Sequence, residues 1–389
     1  MSSNRILIYM GEPGPLTGAP RRLLTLVEGL RDRGFEVIVS THPYSELYRI
    51  EQENNFSPID IHPKGVLALK NKKLIKNKSL FFRLKILFAL IKSNIEFHEI
   101  IKNNNVDLIL IRGSSAFAKF GLALFLSRKK IIWDLDGELP SVGVIRVLHE
   151  LAMFLSVKVI AQYEEIFNKV FNDSFNRRYQ SRYEAIIPGI NVSRLVFKQQ
   201  DTVRESIKII QVGTICENKN QLFALEVFSK IKEDYPNLKF TIDFAGSVKD
   251  EQYQSRLDVF VEEYGLNEHV RFFGWCNNVT HLIAESDILL MPSLSEGVPN
   301  AVQEAMAIGL PVVASSVGGL PEIIASDKTG FCIDLDLIDE WYDIILRLIQ
   351  DSSLRQTIGD NAKNYANENF DNRTWVSEYI KVIDSVTGR

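Results

Sequence analysis

Two acids, Glu296 and Glu304, stand on either side of a short run that looks like a helix start. The stretch 293–324 reads SLSEGVPNAVQEAMAIGLPVVASSVGGLPEII. ILLMPS reads as a strand, and SLSEG as the loop at its carboxyl end. Pro299 suits the first position of a helix, because proline lacks an N–H that would be orphaned there. The helix should run NAVQEAMAI and stop at Gly309, with Pro311 reinforcing the stop. The amides of Asn300, Ala301 and Val302 then lack intrahelical partners and, with the helix dipole behind them, form a ready anion site. Carboxylates do not bind phosphate; they accept hydrogen bonds from hydroxyls. An anion flanked by Glu296 and Glu304 therefore suits a ligand with a charged middle and hydroxylated ends, which describes a nucleotide sugar. The same pair could equally be a solvated loop acid and a solvated helix acid. GGLPEII repeats the device, with Gly318 and Gly319 allowing close backbone approach and Pro321 opening a further helix.

The elements that must position these residues can be read from apolar runs. ILIYM (6–10), EVIVS (36–40), LILI (108–111), IIWDL (131–135), VKVIA (157–161) and AIIP (185–188) read as buried strands. So do KIIQVG (208–213), KFTIDFAG (239–246), VRFFG (270–274), ILLMPS (288–293) and PVVASS (311–316). Near-continuous apolar runs, rather than alternation, are what a parallel sheet covered on both faces requires. Helical patterns lie between them. In PRRLLTLVEGL, Leu23, Leu24, Val27 and Leu30 share a face before Gly34; in 220–235, Leu222, Leu225, Phe228 and Ile231 do. This alternation predicts an α/β fold of two Rossmann-like, doubly wound domains facing across a cleft. The polar stretch 191–206 reads as the linker. It leaves a domain over 1–195 and a second over 205–369, with a helix at about 370–389 packing back on the first. The glycine-rich turn GEPGPLTGAP carries Gly11, Gly14 and Gly18 at spacings that do not match GxGxxG, which disfavours a dinucleotide dehydrogenase. Gly18 followed by Ala19 and Pro20 still lets backbone amides face the cleft, and a plain tight turn is the other reading.

Bulk properties narrow the class. With 389 residues, 46% of them hydrophobic and 24% charged, two folded domains are expected rather than disorder. A net charge of −4 argues against a dedicated nucleic-acid binder. Cys216, Cys276 and Cys332 form no metal-type pair and read as small core residues in a reducing compartment. The N-terminal MSSNRILIYM does not read as a signal peptide, and no apolar run approaches the ~20 residues that span a bilayer. A cytoplasmic protein is expected.

SEGVPNAVQEAMAIGLPVVASSVGGLPEII resembles the E-x7-E signature of family-4 retaining glycosyltransferases, which have the two-domain GT-B fold. The resemblance is specific over some thirty residues and weaker elsewhere. IIPGIN (186–191) looks like the segment before the linker, VGTICENKNQ (212–221) like the phosphate-binding turn, and VRFFGW (270–275) like the strand beside the base. It implies that Glu296 contacts the donor sugar's hydroxyls, that Glu304 holds the ribose, and that the amides near Asn300 and Ala301 meet the diphosphate. Lys219 would neutralise the leaving diphosphate, Gly213 and Thr214 would belong to the same turn, Trp275 would lie beside the base, and Gly18 would let the N-terminal loop approach the phosphate. Two departures stand out. Thr214 occupies a place where many members have an arginine, so the cation clamp rests on Lys219 unless Arg21, Arg22 or Arg112 reaches over. WDLDGE (133–138) replaces a histidine facing the sugar, and Asp136 sits nearest that place. Asp134 and Asp136 also spell a DxD pair, but no metal and no cofactor beyond the nucleotide-diphosphate sugar are expected.

The acceptor implied is a glycan or a lipid-linked glycan. The segment 64–92 carries Lys70, Lys72, Lys73, Lys76, Lys78, Arg83 and Lys85 with apolar residues interleaved, and no acid lies between Asp60 and Glu96. Such a segment can lie on an anionic membrane, or it can be an ordinary helix with a charged outer face. A nucleotide-sugar epimerase of the same fold, or a non-catalytic nucleotide-sugar-binding partner subunit, would share most of these features.

Overall fold

The computed structural model describes residues 5–10, 18–41, 49, 59–60, 80–135, 141–195 and 206–388. The chain divides into two compact units, Met1–Ile186 with Val376–Arg389, and Ile187–Trp375.

The first unit is built on a parallel sheet of β1 (Arg5–Met10), β2 (Glu36–Thr41), β3 (Ile59–Asp60), β4 (Leu108–Arg112), β5 (Lys130–Asp134), β6 (Lys158–Ala161) and β7 (Tyr183–Ala185). Their order is β3-β2-β1-β4-β5-β6-β7. The apolar runs that mark these strands are buried on both faces, as at Ile6, Leu7 and Ile8 in β1 and Leu108, Ile109 and Ile111 in β4. Helix α1 (Gly18–Asp32) returns the chain from β1 to β2. Helices α2 (Leu80–Asn103), α3 (Ser115–Ser127) and α4 (Gly143–Leu155) lead into β4, β5 and β6, and α5 (Ile166–Val170) and α6 (Asp173–Tyr179) precede β7. Parallel crossovers are right-handed, so α1 covers one face while α2, α3 and α4 cover the other.

The second unit has its own parallel sheet of β8 (Ile207–Val212), β9 (Phe240–Ala245), β10 (Val270–Gly274), β11 (Ile288–Met291), β12 (Val312–Ser315) and β13 (Phe331–Ile333). The order is β10-β9-β8-β11-β12-β13. Its helices are α7 (Gln221–Asp234), α8 (Glu251–Glu263), α9 (Val279–Ala284), α10 (Asn300–Ile308), α11 (Leu320–Ile323), α12 (Ile338–Gln350) and α13 (Ser352–Asn369). One side of the sheet closes over a core around Phe228, Phe240, Phe244 and Trp341. Helix α14 (Asn372–Thr387) then carries the chain back into the first unit. There it lies against α1 at Gly29, where a Cβ would sit 2.6 Å from Val376 Cγ1.

Three expectations need correction. Strands β3 and β13 were not among the apolar runs, because one has two residues and the other three. The seventh strand pairs over Tyr183–Ala185 rather than 185–188. The cysteines are free and half-buried rather than core: Cys216 and Cys276 sit in loops, and Cys332 lies on the edge strand β13. Among the described residues no helix is long and apolar enough to cross a membrane.

Candidate functional site

In the second sheet β8 and β11 are neighbours, and their onward connections leave in opposite directions. Ligands of open α/β sheets bind at the carboxyl ends of the strands at such a reversal. Lys219 follows β8 and Glu296 follows β11, and Lys219 Nζ donates to Glu296 Oε1 at 2.5 Å. The two side chains keep only 20% and 10% of their exposure.

The sequence builds the lysine's position from below. Gln211, buried in β8, donates from Nε2 to the Lys219 carbonyl at 2.6 Å. Gln221, buried at the start of α7, donates to the Thr214 carbonyl at 3.1 Å. Asn220 adopts a left-handed conformation (φ 54°, ψ 43°) that turns the chain into α7. Gly213 is bare where the lysine stem crosses it: an added Cβ would lie 3.2 Å from Lys219 Cδ and Cε. Thr214, in the same turn, has its hydroxyl 3.5 Å from Cys216 Sγ.

The neighbouring loops are locked to this one. The Leu294 amide donates to the Asn218 carbonyl at 2.9 Å, and Asn218 Nδ2 donates to the Ser295 carbonyl at 3.1 Å. On the other side, Gly318 has φ +59°, and a Cβ there would overlap the Glu296 carbonyl. The Gly319 amide donates to the Gly297 carbonyl at 3.0 Å. Ser315 Oγ, buried at the end of β12, donates to the Ser293 carbonyl at 2.6 Å. Three loops at adjacent strand ends thus form one backbone-linked layer, with the Lys219–Glu296 pair within it.

Helix α10 begins beside this layer. Pro299 is the residue before the helix, in extended backbone (φ −76°, ψ 128°), rather than its first helical residue. It offers no capping side chain, so the positive end of the helix dipole at Asn300 and Ala301 is left without a capping carboxylate or hydroxyl from that position. Gly309 ends the helix at φ +96°, as expected. Glu304 is half-buried within α10. Beside it in sequence Gln303 is fully buried, and its Nε2 donates to the Pro188 carbonyl at 2.6 Å. Trp275 follows β10 on the same carboxyl edge, two strands from β8. It is 69% exposed, with its indole N–H on Asn277 Oδ1 at 3.1 Å.

The first unit holds the remaining candidates. Gly18 opens α1 beyond β1. Asp136 lies outside the described residues. Asp134, which ends β5, pairs with Arg112 at the end of β4 (3.7 Å, both nearly buried). The Tyr379 hydroxyl, from α14, donates to Asp134; burial first, and then the Asp134 charge, hold its pKa well above the ordinary value against the opposing pull of Arg112 and Arg22. Arg22 Nη1 donates to Gln162 Oε1 at 3.2 Å. Arg22 and Arg112, considered from sequence as additional cations for a phosphate, are both committed to partners inside the first unit. Among the described residues no cluster of His, Cys, Asp and Glu suits a metal ion.

Sequence reasoning passed over the residues that hold the loops: Gln211, Gln221, Gln303 and Asn218. The glutamines did leave a signal. Gln211 interrupts an apolar strand, and Gln303 falls among the apolar positions of α10, where an amide must find partners.

Residues 193–365 match the family model of glycosyl transferases group 1. Among curated proteins, 184 residues are 29% identical to UDP-Gal:alpha-D-GlcNAc-diphosphoundecaprenol alpha-1,3-galactosyltransferase of Escherichia coli. That match covers 46% of this chain and 46% of that protein, so the chain spans about half the length of the curated relative it matches. Among solved structures, Anabaena Alr3699/HepE in complex with UDP and glucose superposes with a TM-score of 0.75 at 19% identity, covering 98% of this chain and 99% of that one. A glycosyltransferase from Rickettsia africae gives 0.79 at 17% identity, covering 99% of each. At these identities the likeness establishes the fold: two Rossmann-like α/β units of the GT-B class.

Proposed function

We propose that the protein is a glycosyltransferase that moves a sugar from a nucleoside-diphosphate sugar to a hydroxyl of a glycan or lipid-linked acceptor, with retention of anomeric configuration. The observation that carries the reading is the Lys219–Glu296 pair at the ends of β8 and β11, set among glycine-walled loops beside the start of α10. The group 1 match over the second unit and the HepE structure with UDP and glucose support the donor class. The Escherichia coli relative, whose name specifies a diphosphoundecaprenol-linked substrate, supports the acceptor class, and relatives named for colanic acid and amylovoran biosynthesis support a role in surface polysaccharide or glycoconjugate synthesis.

In this reading the second unit holds the donor and the first unit the acceptor. Breaking the bond between the anomeric carbon and the β-phosphate oxygen builds negative charge on the departing diphosphate. Lys219 and the first-turn amides of α10 at Asn300 and Ala301 are donors held in place before that charge develops, which is the largest catalytic effect available to such a site. Glu296 accepts from sugar hydroxyls and Glu304 from the ribose. Gly213, Thr214 and Gly18 keep the backbone close to the phosphates, and Trp275 marks the base end. The acceptor hydroxyl enters on the face the diphosphate leaves, its oxygen bonding to the anomeric carbon while its proton passes to the departing phosphate oxygen. Asp136 orients that hydroxyl. The reaction takes place at the cytoplasmic face of a membrane, with contact through 64–92. Of that segment, residues 64–79 lie outside the described residues and 80–92 belong to α2.

The test is a panel of nucleotide sugars with and without lipid-linked acceptors, scored by nucleotide release and by the anomeric configuration of the product. Nucleotide release that requires an acceptor, with the configuration kept, is expected. An isomerised donor without free nucleotide would point to an epimerase. Donor binding without turnover, unaffected in kind by Glu296→Ala, would point to a binding subunit.

A further inference from the structure

Two buried amides lie beneath the turn that carries Lys219, and the reaction proposed above gives neither of them a part. Gln211 is 1% exposed and Gln221 fully buried. In the sheet Gln211 stands between Phe244 of β9 and Leu290 of β11, with Ile209 and Ile210 before it, all of them buried. Packing alone calls for an apolar side chain there, because a buried amide costs stability unless its polar atoms are bonded. Gln211 Nε2 donates to the Lys219 carbonyl at 2.6 Å, and Gln221 Nε2 to the Thr214 carbonyl at 3.1 Å. The Oε1 atoms of both are buried and meet no donor among the described residues. Both amides thus serve one object, the turn 213–220, and hold it near its two ends.

The first part of the turn and the helix after it have other supports. The Gly213 amide donates to the Ala245 carbonyl and the Ile215 amide to the Ser247 carbonyl, both at 2.9 Å. A Cβ at Gly246 would overlap the Gly213 carbonyl, so the loop after β9 lies directly against the turn. In the first turn of α7 the Leu222 amide donates to the buried Tyr253 hydroxyl at 3.0 Å. None of these bonds reaches the carbonyl of Lys219; Gln211 does.

A lysine ammonium sits at the end of a flexible four-carbon stem, so its resting place depends on how firmly the peptide beneath it is set. We infer that Gln211 and Gln221 are positioning residues for the transfer reaction: by fixing the Lys219 and Thr214 carbonyls they set the ammonium against Glu296 before charge develops on the diphosphate. Buried under the turn, they act through Lys219. A donor held in place beforehand needs no reorganisation as the reaction proceeds, which is where its effect on rate comes from. The kinetic arm of the test rests on the transfer reading above; the labelling arm does not.

The experiment compares Q211M and Q221M, which keep the bulk and remove the amide, with K219M and with the double variants Q211M/K219M and Q221M/K219M. Circular dichroism checks each fold, and kinetics are measured well below the unfolding midpoint of every variant. Q211M and Q221M are each expected to lower kcat about tenfold, less than loss of the ammonium itself, and to change the donor KM by less than about twofold. In the K219M background each should lower kcat by less than about twofold, because the group they act through is gone. Acetylation of Lys219 by acetic anhydride without donor, read by mass spectrometry, should become severalfold faster in both single variants as the ammonium leaves Glu296. An equal loss of kcat with and without Lys219 would make the amides structural only and overturn the inference; unchanged acetylation would do the same. A wild type that transfers from no nucleotide sugar defeats the reading above and leaves acetylation to decide this one. Should Q211M fail to fold, Q221M carries every comparison from the other end of the turn.

Discussion

Gly318 lies so close to the carbonyl of Glu296 that no side chain fits between them, and its φ of +59° is one that other residues rarely adopt. The glycine after β12 therefore sets the height of the acid after β11. Gly318→Ala is expected to destabilise the second unit by about 1–3 kcal/mol and to displace the Glu296 loop. The loss should appear in the denaturant midpoint and, independently, as weaker donor binding by calorimetry. An alanine variant with wild-type affinity would show that the loop tolerates another path.

Lys219 and Glu296 should behave as a unit. Lys219→Met is expected to lower kcat/KM by about 10²–10³-fold, the range for removing one preorganised donor to developing charge. Glu296→Gln should weaken sugar binding and turnover together. The double variant should cost less than the product of the single ones, since each substitution already breaks the 2.5 Å pair. Strict multiplicativity in a double-mutant cycle would show that the two side chains act independently.

Gln303 gives a prediction about stability without chemistry. It is buried in α10 and satisfies the Pro188 carbonyl. Gln303→Leu keeps the bulk but leaves that carbonyl unpaired, and should cost about 1–3 kcal/mol. Urea unfolding measures it; a midpoint unmoved from wild type would mean that the carbonyl finds another donor.

His149 gives the first unit a pH dependence. Burial against the rings of Trp133 and Phe171 pulls its pKa from 6.5 to about 4. The unfolded chain keeps the ordinary value, so between pH 4 and 6.5 it binds more protons than the folded one. Stability from this group is complete above pH 6.5 and is lost as pH falls towards 4, up to about 3 kcal/mol. His149→Phe should flatten that part of the profile. Equal slopes for the two proteins, from chemical denaturation at pH 4.5 to 7.5, would count against the assignment.

Much of this was legible in the residues because buried parallel strands must be apolar on both faces. ILIYM and ILLM announce themselves, whereas β13 has only Phe331 and Ile333 to bury and β3 has two residues in all. Gly309 was readable as a helix stop because its left-handed conformation excludes most side chains. Pro299 was placed one residue too far into α10, since a proline before a helix and one opening it look alike in sequence. Lys219 stood out only through the resemblance of its turn to a known family, and its contact with Glu296 spans 77 positions and depends on strand order, which no local pattern encodes. Arg22 and Arg112 meet Gln162 and Asp134, partners that strand order supplies and no local spacing encodes.

The first unit draws Val376–Arg389 from beyond the second, and α14 closes over α1 at Gly29. On a ribosome, the second unit is contiguous and can mature as soon as it emerges. The first must wait, its α1 surface uncovered, until the rest of the chain has been made. A chain terminated at residue 375 would therefore lose part of the older domain rather than the younger one, and a C-terminal deletion would register as damage to the first unit.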